Sequence, residues 1–218
     1  LIKLLLVDDH ELIRSGVKSL LKSVGDITII GEASSGEQGV KLARELKPDI
    51  VLMDVMMPGI GGLEATRKLK QVEPDIKIIA LTACDEDPFP YRMLQAGAEG
   101  FLTKDSGLDE IKLAIHRVYS GQRYISPEIA QELALRKLSD GDKTPFDKLS
   151  DREMQVTLMI IHGQTVQKIS EKLCLSPKTV NTYRYRIFDK LKVNNDVELT
   201  HLAIRYNVLD KDIGETNS

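Results

Sequence analysis

The chain has 218 residues, 42% hydrophobic and 29% charged, which suits one large or two small globular domains, each able to bury a core. No apolar run approaches the roughly 20 residues a bilayer span needs, and no secretory leader is visible, so a cytoplasmic protein with no membrane partner is expected. The net charge is only −3, yet residues 166–195 hold seven basic groups against two acidic, which points to a polyanion partner at one place.

The chain opens on a strand, IKLLLV at 2–7, which runs into the neighbouring carboxylates Asp8 and Asp9 and then into a helical pattern at 11–23. Strands follow near 27–31, 49–53, 76–81 and 100–103, separated by helices near 35–46, 62–72 and 90–97, and a helix near 107–120 closes the run. Five strands alternating with helices predict a parallel, doubly wound sheet, and the continuous apolar character of "DIVLM" suits a central strand covered on both faces. After Gly121 the alternation stops. Residues 121–147 read as a linker, part helical, ending in "SDGDKTPFD". From Leu149 onward the pattern is all helix: a capping box at Ser150–Glu153, then helices at 165–173, 177–191 and 196–206. The expected domains are therefore 1–120, a linker at 121–147, and 148–218. Cys84 and Cys174 form no metal spacing and read as reduced thiols.

In an open parallel sheet, ligands sit beyond the carboxyl ends of the strands. Asp8 and Asp9 end the first strand, Asp54 the third, Thr82 the fourth and Lys104 the fifth. Three carboxylates gathered there cannot all stay ionised without a cation, and hard oxygen ligands favour Mg²⁺. With the cluster neutralised, Asp54 is the candidate nucleophile toward a phosphoryl group. Lys104 would offset the phosphate charge and Thr82 would hydrogen-bond one of its oxygens. His10 reads as an exposed first-turn residue, Asp85–Asp87 as a solvated loop, and Cys84 as packing.

"VDDH", "DIVLMDVMMPGIGGLE", "LTA" and "GFLTK" resemble, in order and spacing, a response-regulator receiver domain over residues 1 to about 120. The resemblance implies a flavodoxin-like sheet of order 2-1-3-4-5, phosphoryl transfer from a sensor histidine kinase to Asp54, and Mg²⁺ held by Asp8, Asp9, Asp54 and the Met56 carbonyl. It also implies a switch pair, Thr82 and Phe101, with the ring turning inward on activation. Asp105 stands after Lys104 where many receivers have proline, which speaks against the usual cis peptide.

In "LSPKTVNTYRYRIFDKLKV", Ser176 is a natural N-cap and Pro177 suits the first helical position. At helical spacing Val180, Ile187 and Leu191 form the buried stripe, while Lys178, Thr182, Tyr185 and Arg186 face outward with Asn181 on the flank. Asn reads adenine, Thr meets a thymine methyl and basic residues hold phosphates. Arg184 lies close to the apolar side and would have to snorkel. With the preceding "TVQKISEKL" helix this is a helix-turn-helix. "LSDRE" and "QTVQKISEKLCLSPKTVNTYRYRIFDKL" resemble the LuxR-type DNA-binding domain of NarL/FixJ response regulators over about 148–210, in wording like the GacA/UvrY subgroup. That resemblance implies base contacts by Asn181, Thr182 and Tyr185, and phosphate contacts by Lys178, Thr179, Arg184 and Lys190.

The expected function is a two-component transcription regulator, not an enzyme. Phosphorylation of Asp54 would shift a closed form to an open homodimer on a two-fold-related site in double-stranded DNA. Two alternatives stand beside it. A phosphorylation-independent DNA-binding regulator is one. The other is an aspartyl phosphatase, which would want an Asp-x-Asp motif where this chain has adjacent acids.

Overall fold

A computed structural model describes residues 1–82, 89–127, 129–131, 134, 144–206 and 208; Cys84 and Asp85–Asp87 lie outside them. The described residues fall into two units, one up to residue 134 and one from residue 144.

The first unit is a parallel sheet of β1 (Ile2–Val7), β2 (Ile27–Ala33), β3 (Ile50–Asp54), β4 (Lys77–Thr82), β5 (Gly100–Thr103) and β6 (Tyr124–Ile125), in the order β2-β1-β3-β4-β5-β6. Helices α1 (Glu11–Leu21), α2 (Gly36–Leu46), α3 (Gly61–Val72), α4 (Phe89–Ala96) and α5 (Leu108–Tyr119) connect the strands. The side-chain period of two sorts each strand between two cores. Leu4, Leu6, Ile50, Leu52, Ile79, Leu81 and Leu102 pack with Val17 and Leu21 of α1 and with Ile111, Ile115 and Val118 of α5. Leu5 and Val7 point the other way, and Val7 sits directly under Gly39 of α2. Every residue of β3 is buried, as its unbroken apolar run requires.

The expected order 2-1-3-4-5 holds, with one strand added. After a turn at Gly121 (φ +87°), the chain returns along β5, pairing Gly100 with Tyr124 and Phe101 with Ile125. Two residues carry no alternation to read, so this strand leaves no periodic signal. Tyr124 anchors it: its ring is buried and its hydroxyl donates to Glu110 Oε1 at 3.1 Å.

The second unit holds α6 (Asp151–Ile161), α7 (Val166–Leu173), α8 (Pro177–Leu191) and α9 (Asp196–Arg205). A 3₁₀ turn at Pro145–Lys148 leads into it, so its ordered structure begins before residue 148, inside the stretch read as linker. Each helix start is chemically marked. Ser150 and Glu153 close the expected capping box. Thr165, Ser176 and Asn195 each accept, through the side-chain oxygen, the amide three residues on, at 3.3, 3.0 and 2.9 Å. Val180, Ile187 and Leu191 are the buried stripe of α8, as the spacing predicts. They join Ile169 and Leu173 of α7 and Leu199 and Ala203 of α9 in the interior, whereas Val197 is 65% exposed.

An ion pair between the buried Glu153 and the partly exposed Lys190 ties the first helix of this unit to α8. Glu153 Oε2 lies 2.6 Å from Lys190 Nζ and also accepts the Ser150 amide at 2.7 Å. Burial pushes the Glu153 carboxyl up, but Lys190 and the Ser150 donors outweigh it and hold the group below its ordinary 4.5. A depressed carboxyl contributes stability above its unfolded value and loses it as pH falls through the folded one. Glu153→Gln should therefore lower stability by about 1–2 kcal/mol at pH 7, with the gap to wild type closing below about pH 4.5; urea unfolding of both proteins across that range measures it.

Candidate functional site

The carboxyl edge of the sheet gathers most of the predicted side chains. Asp8 and Asp54 are fully buried at the ends of β1 and β3. The ammonium of Lys104, just past β5, lies 2.8 Å from Asp8 Oδ2 and 2.9 Å from Asp54 Oδ2. Backbone groups fix the acids. The Met56 amide donates to Asp54 Oδ1 at 3.1 Å, the His10 amide donates to Asp8 Oδ1 at 2.7 Å, and Arg14 of α1 donates to the Asp8 carbonyl at 2.7 Å. Thr82 closes β4, buried, one residue past the partner of Asp54 in the sheet, and its carbonyl accepts the Lys104 amide at 2.6 Å. All described peptide bonds are trans.

Burial is the main force on Asp54, pushing its carboxyl up to about 7; Lys104 pulls it down and Asp8 pushes it further up. Burial would drag the Lys104 ammonium down, but Asp54 and Asp8 outweigh it and hold the group above its ordinary value. The pocket is therefore an electrostatically underpaid set of acids with one cation. Among the described residues, Asp8 Oδ2, Asp9 Oδ1 and Asp54 Oδ2 are buried without an aligned hydrogen-bond donor, and at ion-pair range they face Lys104 and the His10 ring. Oxygens left in that state fit a hard divalent cation. The ligating atoms of Asp8, Asp9, His10 and Asp54 all lie within 4.8 Å of one another. His10 is half exposed, as expected, but its ring turns toward the acids, with Nδ1 2.9 Å from Asp9 Oδ1.

The Phe101 ring has no accessible surface. The resemblance has it turning inward on activation; here it is inward already.

Sequence reasoning passes over the residues that shape the loop after Asp54. Glu37, in the first turn of α2, accepts the Ile60 amide at 2.9 Å and holds the loop closed over Gly59 (φ +74°). A Cβ on Gly62 would stand 1.9 Å from the Asp54 carbonyl oxygen. The start of α3 therefore presses on the backbone of the central acid, and only glycine permits the approach. Gly62→Ala should displace that backbone, with a stability loss of roughly 1–3 kcal/mol by overpacking in a thermal melt and a loss of phosphoryl uptake. The "GIGG" run is the visible signal for this, but its contact exists only in three dimensions.

On α8, Lys178, Thr182, Tyr185 and Arg186 are exposed, with Tyr185 at 74%, and Asn181 is half-buried on the flank. The other candidates are engaged. Thr179 pairs its hydroxyl with Ser176 at 2.8 Å, and Lys190 pairs with Glu153. Arg184 does not snorkel outward; its guanidinium meets Asp196 Oδ2 at 2.7 Å and lies over the Phe188 ring at 5.6 Å. Its place near the apolar side leaves the carboxylate of α9 as the nearest partner for its charge.

The sequence matches the response regulator receiver domain over residues 4–116 and the bacterial regulatory proteins of the luxR family over residues 147–203. It is 59% identical over 211 residues to the response regulator GacA of Pseudomonas syringae pv. syringae, covering 96% of this chain and 99% of that protein. The chain belongs to the two-component response regulators. This regulator is also 54% identical over 207 residues to the response regulator UvrY of Escherichia coli strain K12, covering 94% of this chain and 95% of that protein. Its fold is shared by RcsB from Salmonella enterica serovar Typhimurium, solved bound to promoter rprA in the presence of phosphomimetic BeF₃⁻. There the TM-score is 0.61 at 23% identity, covering 93% of this chain and 98% of that one. The response regulator joins a receiver to a LuxR-type DNA-binding domain and regulates transcription. No helix among its described residues is long and apolar enough to cross a membrane.

Proposed function

We propose that Asp54 is the phosphoacceptor of this response regulator and that a sensor histidine kinase is its donor. The observation that carries the reading is the pocket itself: a buried carboxylate flanked by Asp8, with Lys104 in contact with both. Asp8, Asp9, Asp54 and the Met56 carbonyl are the residues that would hold Mg²⁺. When bound, the ion neutralises the acids and polarises the phosphoryl oxygens. The ionised Asp54 carboxylate attacks phosphorus, so that an O–P bond forms as the N–P bond to the phosphohistidine breaks. The imidazole leaves with that electron pair. Lys104 balances charge on the transferred group, and the Thr82 hydroxyl donates to one of its oxygens. Thr82 and Phe101 then transmit the event, by repacking around an already buried ring.

The output is DNA binding in the cytoplasm by a homodimer on a two-fold-related promoter site. Asn181, Thr182 and Tyr185 face bases, with Lys178 and Arg186 on phosphates. The exposed Val197 on α9 suits a contact between two copies. The chain acts as a regulator and not as an enzyme that turns over substrate. Incubation with acetyl phosphate and Mg²⁺, followed by mass spectrometry of the intact chain and of peptides whose acyl phosphate has been trapped by reduction with borohydride, should place one adduct on Asp54. Catalytic turnover of a chromogenic phosphate would favour a phosphatase instead, and DNA binding indifferent to the adduct would favour a phosphorylation-independent regulator.

A further inference from the structure

We propose that Asp196 and Arg184 form a relay that fixes the carboxamide of Asn181, so that Asn181 reads DNA by donating from Nδ2. The proposal rests on the reading of α8 as the helix that faces bases. Arg184 Nη2 meets Asp196 Oδ2 at 2.7 Å, and Arg184 Nη1 donates to Asn181 Oδ1 at 3.3 Å. A guanidinium carries only donors, so the atom of Asn181 that it meets is the oxygen, and the amino group points elsewhere. Asn181 and Arg184 are three residues apart on one helix and so share a face. Asp196 comes from the first turn of α9, which Asn195 caps through the Glu198 amide at 2.9 Å.

Arg184 is thus held from three directions, by Asp196, Asn181 and the Phe188 ring, with only 25% of its side chain exposed. A side chain so engaged is a positioning residue, not a phosphate contact. The consequence for base reading is specific. A bidentate contact to adenine needs an acceptor and a donor presented together to one base edge. With the Asn181 oxygen turned to Arg184, the amino group leads. Its partners are acceptors in the major groove: purine N7, guanine O6 or thymine O4.

The test is selection of binding sites from a pool of random duplexes by the full chain, treated with acetyl phosphate and Mg²⁺, together with the salt dependence of affinity for the winning duplex. Asn181→Ala first identifies the base position that this residue reads. Arg184→Met, which keeps the stem over Phe188, and the isosteric Asp196→Asn should each relax preference at that same position by about three- to tenfold. Both should leave the slope of log affinity against log salt unchanged, and Asp196→Glu should retain the preference. A slope reduced by about one phosphate contact in Arg184→Met, with all sequences weakened alike, would overturn the relay. So would an intact preference in Asp196→Asn. If the wild-type chain enriches no sequence at all, the reading of α8 falls and the relay with it; that failure is distinct, because Asn181→Ala then has no preference to relax.

Discussion

Asp54→Asn leaves the protein folded but without phosphoryl uptake: after acetyl phosphate and Mg²⁺, the adduct seen by mass spectrometry drops to background. An amide is no nucleophile, and Asp8, the other buried acid, is engaged by the His10 amide and Lys104. The same substitution has a second, opposite effect. Burial raises the Asp54 carboxyl to about 7 from an ordinary 3.8. A carboxyl raised on folding contributes stability that is complete below about 3.8 and is lost as pH rises through about 7. In EDTA at pH 8, Asp54→Asn should therefore be more stable than wild type by up to about 4 kcal/mol, and at pH 4 the difference should vanish. Denaturant melts at the two pH values read this directly. Equal stability of the two proteins at pH 8 would show that the buried carboxylate costs nothing, and the electrostatic account of the pocket would fail.

The second large effect lies on α8. Lys178 and Arg186 are exposed and enter no described ion pair, so both are available to phosphates. Replacing both with alanine should lower affinity roughly uniformly across DNA sequences. Each lost contact should remove about 0.9 from the slope of log affinity against log salt, which amounts to roughly ten- to hundredfold at moderate salt. Tyr185→Ala should act differently, narrowing the spread between preferred and unpreferred sites with little change in slope. Fluorescence anisotropy over a salt series separates the two behaviours.

Much of this was legible in the residues themselves. The strand ends at Asp8, Asp54, Thr82 and Lys104 follow from apolar runs that stop at polar residues, and a parallel sheet places all such ends on one edge. The caps at Ser150 and Ser176 are local chemistry, and local chemistry is what a sequence displays best. What stayed hidden depends on residues distant in the chain. Glu153 meets Lys190 across 37 positions and Arg184 meets Asp196 across 12, pairings that no periodicity encodes. The close approach at Gly62 shows as a glycine, but not as a contact. The strand β6 is too short to carry a pattern, and the full burial of the Phe101 ring is a result of tertiary packing that its local sequence does not display.

The most direct measurement is the DNA affinity of the full chain with and without acetyl phosphate in Mg²⁺, for wild type and for Asp54→Asn. Phosphoryl uptake at the acid pocket should tighten binding of the wild-type chain by roughly ten- to a hundredfold and leave Asp54→Asn unmoved. Equal affinities for the treated and untreated wild-type chain, with the adduct present on Asp54, would contradict it.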